Sequence, residues 1–226
     1  MSSARGSGRP ITGLAWAVLL LGLWLWGRDA SGGSGTSAPT TGDIAAVGRP
    51  LGVPLPPAHE PLKGAPPQRV EIPSIGVAAP VVPRGLDSDG AVDPPPYDRP
   101  GTVGWFRSGI RPGEAGAALL VGHVDTKSKP AVFYGLSTVR TGQHIKVTRV
   151  DGSLAEFTID DVQVFPRSHF DAAKAYGPRQ RGRAELRLIT CGGTYDHRTK
   201  AYTANVVVSA YLTDTRVAAP SNPPKS

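Results

Sequence analysis

Between about Arg69 and Leu212 the apolar residues come in short runs, and this spacing limits the fold more than any other feature. Val70-Glu71-Ile72 opens the segment, and Ala117-Ala118-Leu119-Leu120-Val121 has the continuous apolar character of a strand buried on both faces. His144 to Val150 alternates apolar and polar residues and runs into Asp151-Gly152, a hairpin signal, after which Ala155 to Ile159 continues the ladder. Val162 to Phe165, Glu185 to Thr190 and Val206 to Leu212 are further strand candidates. Helical patterns are confined to Ala131–Leu136 and Asp171–Tyr176. Many short strands broken by Gly/Pro turns predict an all-β domain, either a closed or nearly closed barrel or a sandwich.

The rest of the chain differs in kind. Residues 11–27 carry no charge and predict a helix about 25 Å long, close to the ~30 Å of a bilayer core. Arg9 and Arg28 flank it, and Trp24 and Trp26 suit an interface. A cleaved signal peptide is the rival reading, but no Ala-x-Ala site follows the run, so an uncleaved single-pass anchor over 1–30 is expected. Arg5 and Arg9 favour a cytoplasmic N-terminus, which puts the remainder outside the cell. Residues 31–68 hold 7 of the 28 Gly and 8 of the 23 Pro with little periodicity and read as a linker; 69–212 reads as the folded domain and 213–226 as a disordered tail. The net charge of +7 is spread along the chain without a basic block or nucleic-acid motif. It implies affinity for an anionic wall or membrane and excludes nucleic acid as the expected partner.

Cys191 is the one cysteine, so the chain has no internal disulfide framework and no multi-cysteine zinc site. It closes the run Leu188-Ile189-Thr190 and precedes Gly192-Gly193, which leaves room for a substrate backbone. An unpaired thiol outside the cell is exposed to oxidation, so a nucleophile is the functional reading and a small buried hydrophobe the bland one. A thiol nucleophile needs an imidazole nearby. His123 follows Ala117–Val121 in Gly122-His123-Val124-Asp125-Thr126 and is the first candidate; His197 is the second. Asp125 is either an orienting group for the ring or a turn cap.

These motifs carry a resemblance. Gly122-His123-Val124-Asp125-Thr126, Leu188-Ile189-Thr190-Cys191-Gly192-Gly193 and Asn205-Val206-Val207-Val208, in that order behind an N-terminal anchor, resemble the class F sortases of high-GC Gram-positive bacteria. Trp105-Phe106-Arg107 and Val132–Leu136 are similar to that group as well. The resemblance covers about residues 69–212. It implies a sortase-like eight-stranded β-barrel with short helices, and a cysteine transpeptidase that cleaves an LPxTG-like sorting signal between Thr and Gly. In that scheme Cys191 forms an acyl-thioester, His123 donates and accepts protons, and the acyl group passes to an amine on a cell-wall precursor. With ordinary pKa values for Cys and His, the thiolate–imidazolium pair is about 1% of the neutral pair, so slow turnover is expected.

The third role departs from the family pattern. Sortases place an arginine near the start of the last strand, where it steadies the oxyanion. Here that position is Asn205, and the nearest arginine after the cysteine is Arg198, in a polar loop. Arg198 is the first expectation and Asn205 the substitute donor. Arg187 lies about 13 Å back along the strand from Cys191, too far for oxyanion contact. No H-E-x-x-H motif or Cys/His cluster occurs, so neither a metal nor a cofactor is expected. An L,D-transpeptidase is the competing enzyme reading, but its usual S-H-G-C is T-C-G-G here; a tethered wall-binding module with an incidental thiol is the non-enzymatic one.

Overall fold

The computed structural model describes residues 54–217, apart from Asp89 and Lys200. The expected anchor at 11–27 lies outside these residues, as do the linker up to residue 53 and the tail from 218. Among the described residues no helix is long and apolar enough to cross a membrane.

Eight strands close into a barrel: β1 (Pro67–Ile72), β2 (Val77–Arg84), β3 (Val103–Phe106), β4 (Gly116–Val121), β5 (His144–Arg149), β6 (Ser153–Pro166), β7 (Ala184–Asp196) and β8 (Ala201–Val217). Their order around the wall is β1-β2-β3-β4-β7-β8-β6-β5, with β5 returning to β1. Two neighbouring pairs, β2–β3 and β4–β7, are parallel; the remainder are antiparallel. Closure leaves no long unpaired edge. The β5–β6 hairpin turns at Asp151-Gly152, where Gly152 takes φ +78°, a conformation that favours glycine.

Inward-facing residues of successive strands fill the barrel. Ile72, Leu120, Phe133, Phe157, Leu188 and Val208 are among its buried members. Each such side chain is worth about 1.5–3 kcal/mol of transfer free energy. A second apolar cluster lies on the opposite face of β4, β7 and β8, where Leu119, Val121, Ile189 and Val207 are covered by Phe165, Phe170 and Tyr176. Thus β4 and β7 are buried on both faces, which explains the unbroken apolar run of β4, while β7 buries Glu185 and Arg187 as a pair on one of its faces. Phe165 lies at the end of β6, and Phe170 and Tyr176 belong to the β6–β7 connection, which includes a 3₁₀ turn at Arg167–His169 and α1 (Ala172–Tyr176), capped by Asp171 accepting from Lys174 N at 3.1 Å.

Several boundaries differ from the sequence reading. Residues 56–66, expected within the linker, are fastened to the barrel: His59 N donates to Leu212 O, Leu62 N to Gly113 O, and the Tyr211 hydroxyl to Pro56 O. The buried Arg149 clasps the same segment through Lys63 O at 2.7 Å. The last strand runs to residue 217, into the expected tail, because its end pairs with Ser153–Ala155 of β6. The runs at 155–159 and 162–165 are one strand interrupted by register shifts. Ala131–Leu136 does not form an α-helix. Its amides turn back onto the end of β4, with Ala131 N on Val124 O and Phe133 N on His123 O, and only a 3₁₀ turn at Leu136–Thr138 follows.

Candidate active site

The parallel β4–β7 ladder runs from Gly116↔Ala184 to Val121↔Ile189, and Gly122 N extends it by donating to Ile189 O at 3.1 Å. His123 follows two residues past the last β4–β7 pair, where its carbonyl accepts from Phe133 N. On the other side of β7, Cys191 pairs directly with Asn205 of β8, which in turn pairs with Phe165 of β6. Cys191, Asn205 and Phe165 therefore form one row across three strands, with His123 just past the end of the neighbouring β4. Alternation places the row on the outer face, with Val121, Ile189 and Val207 one pleat back.

Each position has a local cause. Gly122 is glycine because a Cβ there would come within 2.7 Å of Phe133 Cδ2 and Val132 Cγ1, so a side chain would push His123 away from the wall. Beyond Cys191 the strand continues to Asp196 instead of ending, but the ladder slips between Gly192 and Tyr195. At Gly192 a Cβ would meet Val206 Cγ2 at 2.5 Å, and Gly193 takes φ +75°. The strip after the thiol is consequently bare of side chains.

His123 is buried under a proline-rich loop, residues 93–100. Arg84 grips Asp93 at one end of the loop, and Val132 N donates to Pro100 O at 2.8 Å at the other. Pro95 O lies 2.6 Å from His123 Nε2, and the Tyr97 ring stacks on the imidazole at 4.1 Å. A carbonyl only accepts, so Nε2 carries a hydrogen; in the neutral ring Nδ1 then holds the lone pair. No described group bonds Nδ1. Asp125 does not orient this ring: its carboxylate accepts a very short hydrogen bond from Tyr202, and Pro95 supplies the orienting contact. Tyr202 also packs on Tyr195, 5.2 Å between centroids, and Tyr195 on His197, 5.1 Å. That places the second histidine candidate in the β7–β8 hairpin tip.

Cys191 is open to solvent. Desolvation by the surrounding protein is nevertheless the largest influence on its thiol, followed by the Arg167 charge, which lowers its pKa, and the Asp125 carboxylate, which raises it; the net shift is upward. The phenol of Tyr97 is raised by burial and then by Cys191, Asp125 and Tyr195, which places these groups in one electrostatic neighbourhood. Tyr202, donating to Asp125, is pushed up to about 12.

Arg167 was not legible as a site residue. It precedes the cysteine by 24 positions, yet it directly follows Pro166, the partner of Ala204, one step past the Phe165–Asn205–Cys191 row. It forms no ion pair among the described residues. Arg198, the first expectation for the cationic role, sits in the hairpin turn after Asp196, with its amide donating to Asp196 at 2.8 Å. Arg187 is fully buried and bound to Glu185, away from the thiol.

The comparisons with known proteins decide the family. Residues 70–213 match the family described as the sortase domain, which is more than half of the chain. The chain belongs to the sortase family. Among solved structures, sortase A of Listeria monocytogenes superposes with TM-score 0.52 at 19% identity, covering 69% of this chain and 92% of that one. Sortase C1 of Streptococcus agalactiae, in complex with MTSET, gives 0.50 at 18% identity, covering 65% and 66%. No curated protein sequence matches this sortase. The structural likenesses establish a shared barrel, which agrees with the all-β expectation.

Proposed function

We propose that this sortase is a cysteine transpeptidase of class F type, held at the membrane by residues 11–27 with its barrel outside the cell. It cleaves an LPxTG-like sorting signal on secreted proteins and passes the acyl group to an amine of the peptidoglycan precursor or a comparable acceptor. The observation that carries this reading is the Cys191–Asn205 pair on β7 and β8, with the buried His123 just past the end of β4, the strand beside β7.

Cys191 Sγ attacks the Thr carbonyl, and its proton passes to Nδ1 of His123. The imidazolium then protonates the departing Gly amine, leaving an acyl-thioester and a neutral ring. The hydrogen bond from Nε2 to Pro95 O serves both charge states, so the ring need not turn between steps. Asn205, directly across from Cys191, suits an amide donor to the oxyanion, and Arg167 supplies the cation that the family usually sets on the last strand. Arg198 is set aside for that role by its place in the hairpin turn. With the thiol raised and only partly offset by Arg167, the resting enzyme holds a neutral thiol, which suits slow turnover.

The test is cleavage of an LPxTG-type peptide between Thr and Gly, with transfer to an added amine. Both are expected to vanish in Cys191→Ala and to fall by orders of magnitude in His123→Ala. Unchanged cleavage in Cys191→Ala would sink the proposal.

A further inference from the structure

The carboxylate of Asp125 has no part in the acylation chemistry above. It opposes the thiolate, pushing the Cys191 pKa upward, and it does not touch the histidine. No cation pairs with it among the described residues; its partner is the neutral phenol of Tyr202. A carboxylate beside a nucleophile that must become anionic works against the first step, unless a positive charge arrives for the second. Asp125 lies in the turn that follows β4, where it bridges Pro130, and its carboxylate acts on the Cys191 thiol. Tyr202 reaches it from β8, and Tyr195, 41% exposed, packs on that ring. A negative group backed by an aromatic face, within electrostatic reach of a solvent-exposed thiol, has the chemistry that holds an ammonium.

We infer that Asp125, backed by Tyr202 and Tyr195, is the subsite that binds the incoming acceptor as an ammonium. This deepens the transpeptidase reading and rests on it. After acylation His123 is neutral. The ammonium docks on Asp125 and gives one proton to His123 Nδ1. The free amine attacks the thioester carbon; the C–N bond forms, the C–S bond breaks, and the second N–H proton ends on the Cys191 sulfur. The imidazolium releases its proton to solvent. Asp125 thus raises the local concentration of charged amine and favours aminolysis over hydrolysis.

The experiment uses the full-length chain in detergent micelles, acylated with an LPxTG-type peptide. Two nucleophiles are compared: a short amidated peptide with a free glycine amino terminus, and hydroxylamine, which is uncharged at neutral pH. Asp125→Asn keeps an oxygen for the Tyr202 hydrogen bond and removes only the charge. The expected result is a KM for the peptide amine raised about tenfold, as for loss of a charge-assisted contact, with the hydroxylamine rate unchanged. Tyr202→Phe keeps the ring and the carboxylate charge but removes the hydrogen bond that holds Asp125, and should raise that KM by less than Asp125→Asn does. A purely structural Asp125–Tyr202 tie predicts that both variants lose activity toward both nucleophiles together, and that outcome overturns the inference. So does an unchanged peptide-amine KM in Asp125→Asn. If the wild-type protein forms no acyl-enzyme, the transpeptidase reading fails separately. An NMR titration of the unacylated protein with the same amine peptide then decides: shifts at Tyr195 and Tyr202 that disappear in Asp125→Asn support the subsite, and their absence in the wild type refutes it.

Discussion

Replacing Glu185 with glutamine tests what holds the β6–β7 connection, and with it Arg167, in place. The Glu185 carboxylate is fully buried and accepts from the amides of Arg179 (2.9 Å) and Gln180 (2.8 Å), from Arg183 Nε (3.0 Å) and from Arg187 Nη2 (2.5 Å). Arg187, equally buried, also donates to Gly177 O at 2.8 Å, so two strand residues secure the connection. Breaking one partner of a buried pair costs about 3–5 kcal/mol. Glutamine keeps the shape and one acceptor but presents N–H to a donor and leaves the Arg187 charge unmatched, so about 3 kcal/mol is the expectation. For a domain of this size that lowers Tm by about 6–12 °C. The sign with pH follows from Glu185 itself. Burial alone would raise its pKa, but the Arg179 amide, Arg187 and the Gln180 amide override it and hold the carboxyl below its usual value. A depressed folded pKa means stability that is present above the unfolded value, near 4.3, and lost as pH falls through the folded one. Thermal unfolding followed by circular dichroism should therefore show the full gap at pH 6–7 and a narrowing gap below about pH 4. A Tm change under about 2 °C, or a gap of constant size down to acid pH, would refute the reasoning.

Three further outcomes are expected. The pH profile of Cys191 alkylation by iodoacetamide should have its midpoint above that of an ordinary thiol; Arg167→Ala should move it higher and Asp125→Asn lower, and opposite shifts would contradict the electrostatics described. Gly122→Ala, which forces a Cβ to within 2.7 Å of Phe133, should cost about 1–3 kcal/mol in urea denaturation, and a loss below about 0.5 kcal/mol would mean that the wall yields there. Asn205→Ala should lose about 2–4 kcal/mol of transition-state stabilisation in kcat/KM while Arg198→Ala leaves it intact; the reverse order would return the oxyanion role to the hairpin arginine.

The sequence announces the strands whose periodicity is clean. β4 is covered on both faces, and its apolar run predicts that; β5 and β6 alternate up to an Asp-Gly turn; β7 is covered on both faces too, but its buried Glu185 and Arg187 read as exposed positions in the sequence. β2 is hidden by Pro80 and Pro83, which a central strand should not contain. The barrel tolerates them because each half of β2 is paired on one side only, residues 77–80 with β1 and 81–84 with β3. β3 is only four residues long and too short to signal itself. At the site, Cys191 and His123 were legible because each closes an apolar run beside glycine. Arg167, Pro95 and Tyr97 were not: they come from distant loops whose approach to the thiol and the imidazole is set by barrel order, and a backbone carbonyl leaves no mark on sequence. Of the two readings open for Asp125, ring orienter or turn cap, the first does not hold, and its actual partner was hidden for the same reason, since Tyr202 lies 77 residues away.

The central claim is that Cys191 carries the acyl group. Intact-mass measurement of the full-length protein after brief incubation with an LPxTG-type peptide tests it most directly. The account predicts an added mass equal to the peptide fragment ending at Thr, located on Cys191 by peptide mapping, released by hydroxylamine and absent from Cys191→Ala. Peptide cleavage without such an adduct, or an adduct that persists in Cys191→Ala, would contradict it.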